Sequence, residues 1–273
     1  MLSFFIVILV RAFALDPIGS AVDQAQALAL QKNRVEACAV LQRALQVSPV
    51  GPRGRAKLND SLAQISKVFF TDKAQKAYES GQSLMWENPD LALTQFKSAL
   101  ELEDGNILIL GSIARVLLIK QDCEGALASA LSAQKIHPYD ADSSGLELKA
   151  LACAQRFEQV RERVKSLPGL DKWQDSFVQY ILMLEWVQQM AWRKVYDSAL
   201  KLTQEHPGFP EGFYFLTRAG AELNKDVEPA SQKYVSICKA LTIRERKRYA
   251  LEPRLCANLK EVENELAKKT LEI

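Results

Sequence analysis

Ala25, Leu28, Ala37, Leu41, Ala44 and Pro49 stand three, nine, four, three and five residues apart, and the same offsets return as Ala114, Leu117, Ala126, Ala130, Ala133 and Pro138. A third copy reads Met183, Trp186, Val195, Ala199, Leu202 and Pro207. A fourth, one residue shorter at its middle step, reads Gly81, Leu84, Ala92, Phe96 and Ala99 and runs into Asp104-Gly105. Recurrence of one supersecondary unit constrains the fold more than any single residue, because each copy buries its apolar face only against its neighbours.

Steps of four and three place the last three apolar positions of a copy on one helical face. Alanine there favours helix and lets a partner helix come close. The nine-residue step is too long for a continuous face and contains Gln31-Lys32-Asn33, so it predicts a turn between two antiparallel helices. Glu87-Asn88-Pro89 and Lys120-Gln121-Asp122 are the equivalent turns, built from residues that end or start helices. The closing proline removes a backbone donor and stops the second helix.

This unit resembles the tetratricopeptide repeat family in the small residue of its first helix, the paired alanines of its second and its final proline. The resemblance implies an all-α fold, a right-handed α-solenoid of antiparallel helix pairs with a C-terminal capping helix. Units fall at 18–51, 74–105, 107–140 and 176–208, with degenerate units at 141–170 and 209–242. Pro138 to Pro207 is 69 residues, or two units, whereas Pro49 to Pro138 is 89, an excess that falls on 52–73. In that stretch Gly51-Pro52-Arg53-Gly54 predicts a loop and Leu58 to Phe70 an extra helix. Over 243–273, Leu251, Leu255, Leu259, Val262 and Leu266 predict the capping helix, kinked or split near Pro253, with Arg244–Arg248 on its solvent side. Residues 15–273 are thus expected to form a single helical repeat domain.

The first 14 residues carry a different signal. Leu2 to Val10 is a nine-residue apolar run, too short to span a bilayer, followed by Ala12-Phe13-Ala14, a site of the A-x-A kind. That pattern predicts a signal peptide cleaved after Ala14 and an exported, periplasmic product with no stable membrane span. The net charge of +2, from 35 bases and 33 acids, supplies no field that would draw nucleic acid. Cys123 and Cys153 could approach each other in the repeat register, as could Cys238 and Cys256 on consecutive C-terminal helices. Each of the five cysteines reads equally well as a small core residue.

No residue pattern here signals catalysis. His137-Pro138 and His206-Pro207 occupy one repeated slot, which marks scaffolding rather than a catalytic pair. Nucleophile elbows and phosphate-binding glycine loops are missing from the sequence, and no Cys/His cluster suggests a metal. Acid pairs such as Glu101/Glu103 diverge on a helix and read as solvated faces. No enzyme activity and no cofactor are therefore expected.

In the resembled family, first helices line a concave groove that receives a peptide or helix. Carried over by spacing, its positions are Val22, Gln26 and Ala29; Tyr78, Gln82 and Met85; Gly111, Arg115 and Leu118; and Tyr180, Leu184 and Val187. Of these, Tyr78, Gln82, Met85, Arg115, Leu118, Tyr180 and Leu184 are the expected partner-binding residues, since tyrosine and arginine dominate interfaces. The family's carboxylate clamp is not reproduced, because Val22/Gln26, Tyr78/Gln82 and Gly111/Arg115 stand at those sites. The expected partner is an apolar protein segment with an acidic residue opposite Arg115. The resulting expectation is a non-catalytic interaction scaffold exported from a bacterium. The alternative is a cytoplasmic regulatory or accessory module of an enzyme or signalling complex.

Overall fold

The computed structural model describes residues 16–47, 50–167, 172–241 and 256–271. The apolar N-terminal run, the A-x-A site, Pro49, and the segment with Arg244–Arg248 and Pro253 lie outside them. Fourteen helices and no strand occur among the described residues.

Three helices come first: α1 (Pro17–Leu30), α2 (Arg34–Val47) and α3 (Pro52–Lys67). Five antiparallel pairs follow. They are α4 (Asp72–Leu84) with α5 (Pro89–Leu102), α6 (Ile107–Ile119) with α7 (Cys123–Ile136), and α8 (Ala141–Cys153) with α9 (Phe157–Ser166). Then come α10 (Lys172–Gln188) with α11 (Trp192–Glu205) and α12 (Pro210–Glu222) with α13 (Glu228–Ala240), and last α14 (Leu259–Leu271). The expected loop at 51–54 is instead the first turn of α3. Gly51 is its N-cap and Pro52 its first residue, where a fixed φ suits the helix and the missing N–H costs no hydrogen bond.

The nine-residue step is explained by one recurring turn. Lys32, Gln121, Gln155, Met190 and Asn224 each adopt a left-handed backbone, φ 52 to 62°, two residues after a first helix ends. The following amide then reaches back five residues: Asn33 to the Leu28 carbonyl at 3.0 Å, Asp122 to Leu117 at 2.9 Å, Ala191 to Trp186 at 2.9 Å. This is the Schellman closure, which satisfies carbonyls that a helix end leaves open. The short copy lacks it: Asn88 bonds the Leu84 carbonyl at 2.8 Å, and the left-handed residue is dropped. Asn88, Asp122 and Asp140 then cap the next helix by accepting from Leu91, Gly125 and Ser143 amides.

The repeated small positions are the seams of the pairs. Ala25, Ala37, Ala92, Ala99, Ala114, Ala126, Ala130, Ala133 and Ala199 are fully buried. First helices also touch one another, α6 with α8 and α8 with α10, as a solenoid requires. Helix α6 (ILILGSIARVLLI) is apolar nearly all round and is accordingly buried nearly all round. At the far end α14 packs on α13 through Tyr234, Cys238 and Val262.

Both cysteine pairs are disulfides. Cys123–Cys153 ties the start of α7 to the end of α8, with Cα atoms 5.6 Å apart, and Cys238–Cys256 ties α13 to the turn before α14, at 5.8 Å. Cys38 is a buried free thiol.

The first three helices do not simply continue the stack. Helices α2 and α3 meet the array at α7 and α6 and seat on its inter-pair turns. Arg34 is the principal tie. Its Nε donates to the Ile65 carbonyl at 3.1 Å, Nη1 to the Glu103 and Asp104 carbonyls at 3.3 and 3.1 Å, and Nη2 to the Val68 carbonyl and, at 2.6 Å, to the Glu103 carboxylate. All five guanidinium hydrogens are thereby used. The second oxygen of Glu103 accepts from the Phe70 and Thr71 amides at 2.6 and 2.7 Å. The reading of Glu103 as a solvated face is therefore corrected: its carboxylate is fully buried, because the chain supplies three donors and a cation around it. Lys67–Asp140 at 2.7 Å and Gln42 on the Ile136 carbonyl at 2.7 Å complete the seam.

Candidate partner-binding surface

The expected groove residues divide into three groups. Met85 and Leu118 are buried, at 4% and 6% exposure, so they are core rather than binding surface; Val22 and Gly111 are likewise buried. Neighbouring elements close over them. Met85 packs with Phe96 and Ile109, and Leu118 with Leu127 and Leu146. Tyr78, Tyr180 and Leu184 are half-buried. Tyr78 stacks against Phe69 and Phe96, with centroids 5.1 and 5.7 Å away, and Tyr180 against Phe177, Phe209 and Phe215. Both tyrosines therefore contribute packing as well as surface. Gln82 is exposed and donates to Ser112 at 2.8 Å, and Arg115 is half-buried and already engaged within the protein.

One open cleft, of about 480 Å³, lies at the first unit between the C-terminal halves of α1 and α3. Gln26, Ala29, Leu30 and Lys32 form one wall; Ser61, Gln64, Ile65, Val68 and Phe70 form the other. Gln26 and Ala29 are the expected groove positions of that unit. Leu30, at the lip, is 87% exposed. The side chains of Gln26, Ser61, Gln64 and Lys32 make no hydrogen bond or ion pair among the described residues. An apolar floor with a few uncommitted polar groups is the usual composition of a binding site.

Arg34 stiffens the far wall. It holds the Ile65 and Val68 carbonyls, and its guanidinium lies over the Phe70 ring, 4.3 Å from the centroid. Asn106 also donates to the Val68 carbonyl at 3.2 Å. The Ile65 and Val68 carbonyls at the end of α3 are thus taken up by side-chain donors. The sequence placed the extra helix that supplies this wall, but not the part that Arg34 plays in holding it.

The histidines keep the shared slot. His137 and His206 are the C-caps of α7 and α11, both buried, each donating its amide four residues back at 2.9 Å. Among the described residues no group of His, Cys, Asp and Glu could hold a metal ion, and no helix is long and apolar enough to cross a membrane.

Antiparallel pairs, four of the five closed by the same left-handed turn, with the first helices α6, α8 and α10 in contact, define a tetratricopeptide-like helical array. No known family profile matches the chain, and no curated protein matches it. Similar solved structures include MamA from residue 41 onward of Desulfovibrio magneticus RS-1, 16% identical, covering 63% of this chain and 96% of that one with a TM-score of 0.45. A MamA RS-1 double mutant overlaps at 16% identity, covering 66% and 98%, with a TM-score of 0.44. A tetratricopeptide repeat protein from Parabacteroides merdae overlaps at 12% identity, covering 91% and 93%, also with 0.44. These overlaps are loose, and the fold assignment rests on the chain's own helices.

Proposed function

We propose that the chain is a non-catalytic protein-interaction scaffold, exported to the periplasm, that holds an apolar segment of a partner protein against its first helices. The observation that carries this reading is the cleft between α1 and α3, where groove positions Gln26 and Ala29 face free space beside an exposed Leu30. Lys32 is the single charged residue in its lining, which favours a segment bearing an acidic group. Half-exposed Tyr78, Tyr180 and Leu184, with Gln82 and Arg115, extend the surface along the array. Two disulfides support an oxidising compartment, since such bonds are rare in reducing cytosol.

The test is capture of partners by the full chain through crosslinking in the native cell. Replacing Leu30 with Glu and Lys32 with Glu should abolish capture while circular dichroism stays unchanged, because both side chains are exposed. Unaltered capture by that double variant would remove the cleft as the binding surface. N-terminal sequencing that begins at Leu15 supports export; an intact Met1 returns the protein to the cytoplasmic alternative.

A further inference from the structure

His137 and His206 offer a comparison within one molecule. Both occupy the same C-cap slot, yet only His137 sits where the α1–α3 unit meets the array. The preceding carbonyl, Ile136, accepts from Gln42 of α2 at 2.7 Å, and Asp140, three residues on, is bonded by Lys67 of α3 at 2.7 Å. His137 is 5% exposed, and its Nδ1 has no hydrogen-bond partner among the described residues.

We infer that this seam is an acid-sensitive latch, in which protonation of His137 loosens the α1–α3 unit from the rest of the array. The charged groups that act on His137 are Asp140, whose amide bonds the His137 carbonyl at 3.2 Å, and Lys67 from α3. Asp140 is a single buried carboxylate that already serves Lys67 at one oxygen, and the Ser143 amide and hydroxyl at the other, 2.9 and 2.7 Å away. A proton on His137 places a second cation beside that one carboxylate. Lys67 is partly solvent-exposed, at 35%, so it is the cation that can leave for water. Its departure removes an ionic tie between the two units, and with it one support of the α3 wall of the cleft.

The direction of the proton equilibrium agrees. Burial, opposed by Asp140 and reinforced by Lys67, holds the His137 imidazole below its ordinary value of 6.5. A base depressed in the folded state takes its proton more readily once the site opens. Stability of the closed seam is therefore complete above pH 6.5 and declines as pH falls toward the depressed value. Asp140 is also depressed: burial pushes its carboxyl up, and Lys67 and Ser143 more than reverse this, so its contribution disappears only below the ordinary 3.8. The histidine acts first on acidification.

The inference does not depend on the partner-binding reading. Hydrogen–deuterium exchange of the full chain, corrected for intrinsic rates, tests it between pH 7.5 and 5. Amides of α1–α3 should exchange faster, by up to about tenfold per pH unit below 6.5, while those of α11–α13 stay protected. His137→Gln, which cannot charge, should flatten this response, and His206→Gln should keep it. Equal protection of α1–α3 at both pH values overturns the latch, as does an acid response that survives in His137→Gln. Should His137→Gln not fold, proton NMR of the wild-type chain decides. The step in which the His137 ring takes its proton must coincide with the loss of α1–α3 protection, and separate midpoints overturn the proposal. Loss of acid response with unchanged partner capture would leave the scaffold reading untouched.

Discussion

Gly81 of α4 lies directly beneath the ring of Phe96 of α5, so close that a β-carbon at position 81 would stand 2.6 Å from the ring edge. The pair occupies positions that Ala114 and Ala130, or Met183 and Ala199, fill elsewhere, and the one copy with a large ring in the second helix has glycine opposite it. Gly81→Ala should therefore destabilise the protein by about 2 kcal/mol through overpacking. Adding Phe96→Leu should recover part of that loss. Urea midpoints of the two variants measure both; a neutral Gly81→Ala would show that the ring can move aside.

Glu103→Gln should cost about 3 kcal/mol or more, because it leaves the Arg34 cation buried without its counter-charge. The loss should be local at first. Exchange protection should fall in α1–α3, which Arg34 and Glu103 tie to the array, before it falls in α11–α13. A uniform loss would mean the ion pair supports the whole stack rather than this junction.

The two disulfides close loops of 30 and 18 residues in sequence separation, and each should contribute about 3 kcal/mol by restricting the unfolded chain. Reduction should lower the thermal midpoint without unfolding the helices at room temperature. Alkylation of the denatured, unreduced chain should add one adduct, at Cys38, and five after reduction. In the native state burial pushes the Cys38 thiol up to about 11, so it should resist thiol reagents at pH 8.

Gln155 holds a left-handed backbone, φ 59°, with an exposed side chain. Gln155→Gly should stabilise the protein by about 1 kcal/mol, since glycine carries no β-carbon to clash there. Gln155→Val should destabilise it, because a branched side chain fits that conformation worst. Calorimetry of the pair checks the sign, and a destabilising glycine would refute strain at this turn.

The 34-residue unit, its helix pairs and its alanine seams were legible in the chain because they are local properties: a helical face repeats every three or four residues wherever the segment lies. The shared slot of His137 and His206 was readable for the same reason; Cys123 and Cys153 could be nominated from the repeat register, and Cys238 and Cys256 from their place on consecutive C-terminal helices. The recurring left-handed turn lay hidden, since Lys32, Gln121 and Met190 share no side-chain chemistry that announces it.

Spacing placed Leu118 on α6 and Met85 at the end of α4, where it is the C-cap, but it could not say what packs over them. Glu103, two residues from exposed Glu101, looks in one dimension like any solvated acid; only folding brings Arg34, 69 residues away, against it. The seat of α1–α3, the cleft that this seat shapes and the partnership of Asp140 with Lys67 were decided by tertiary structure alone. Each depends on a contact between segments whose sequences carry no periodicity linking them.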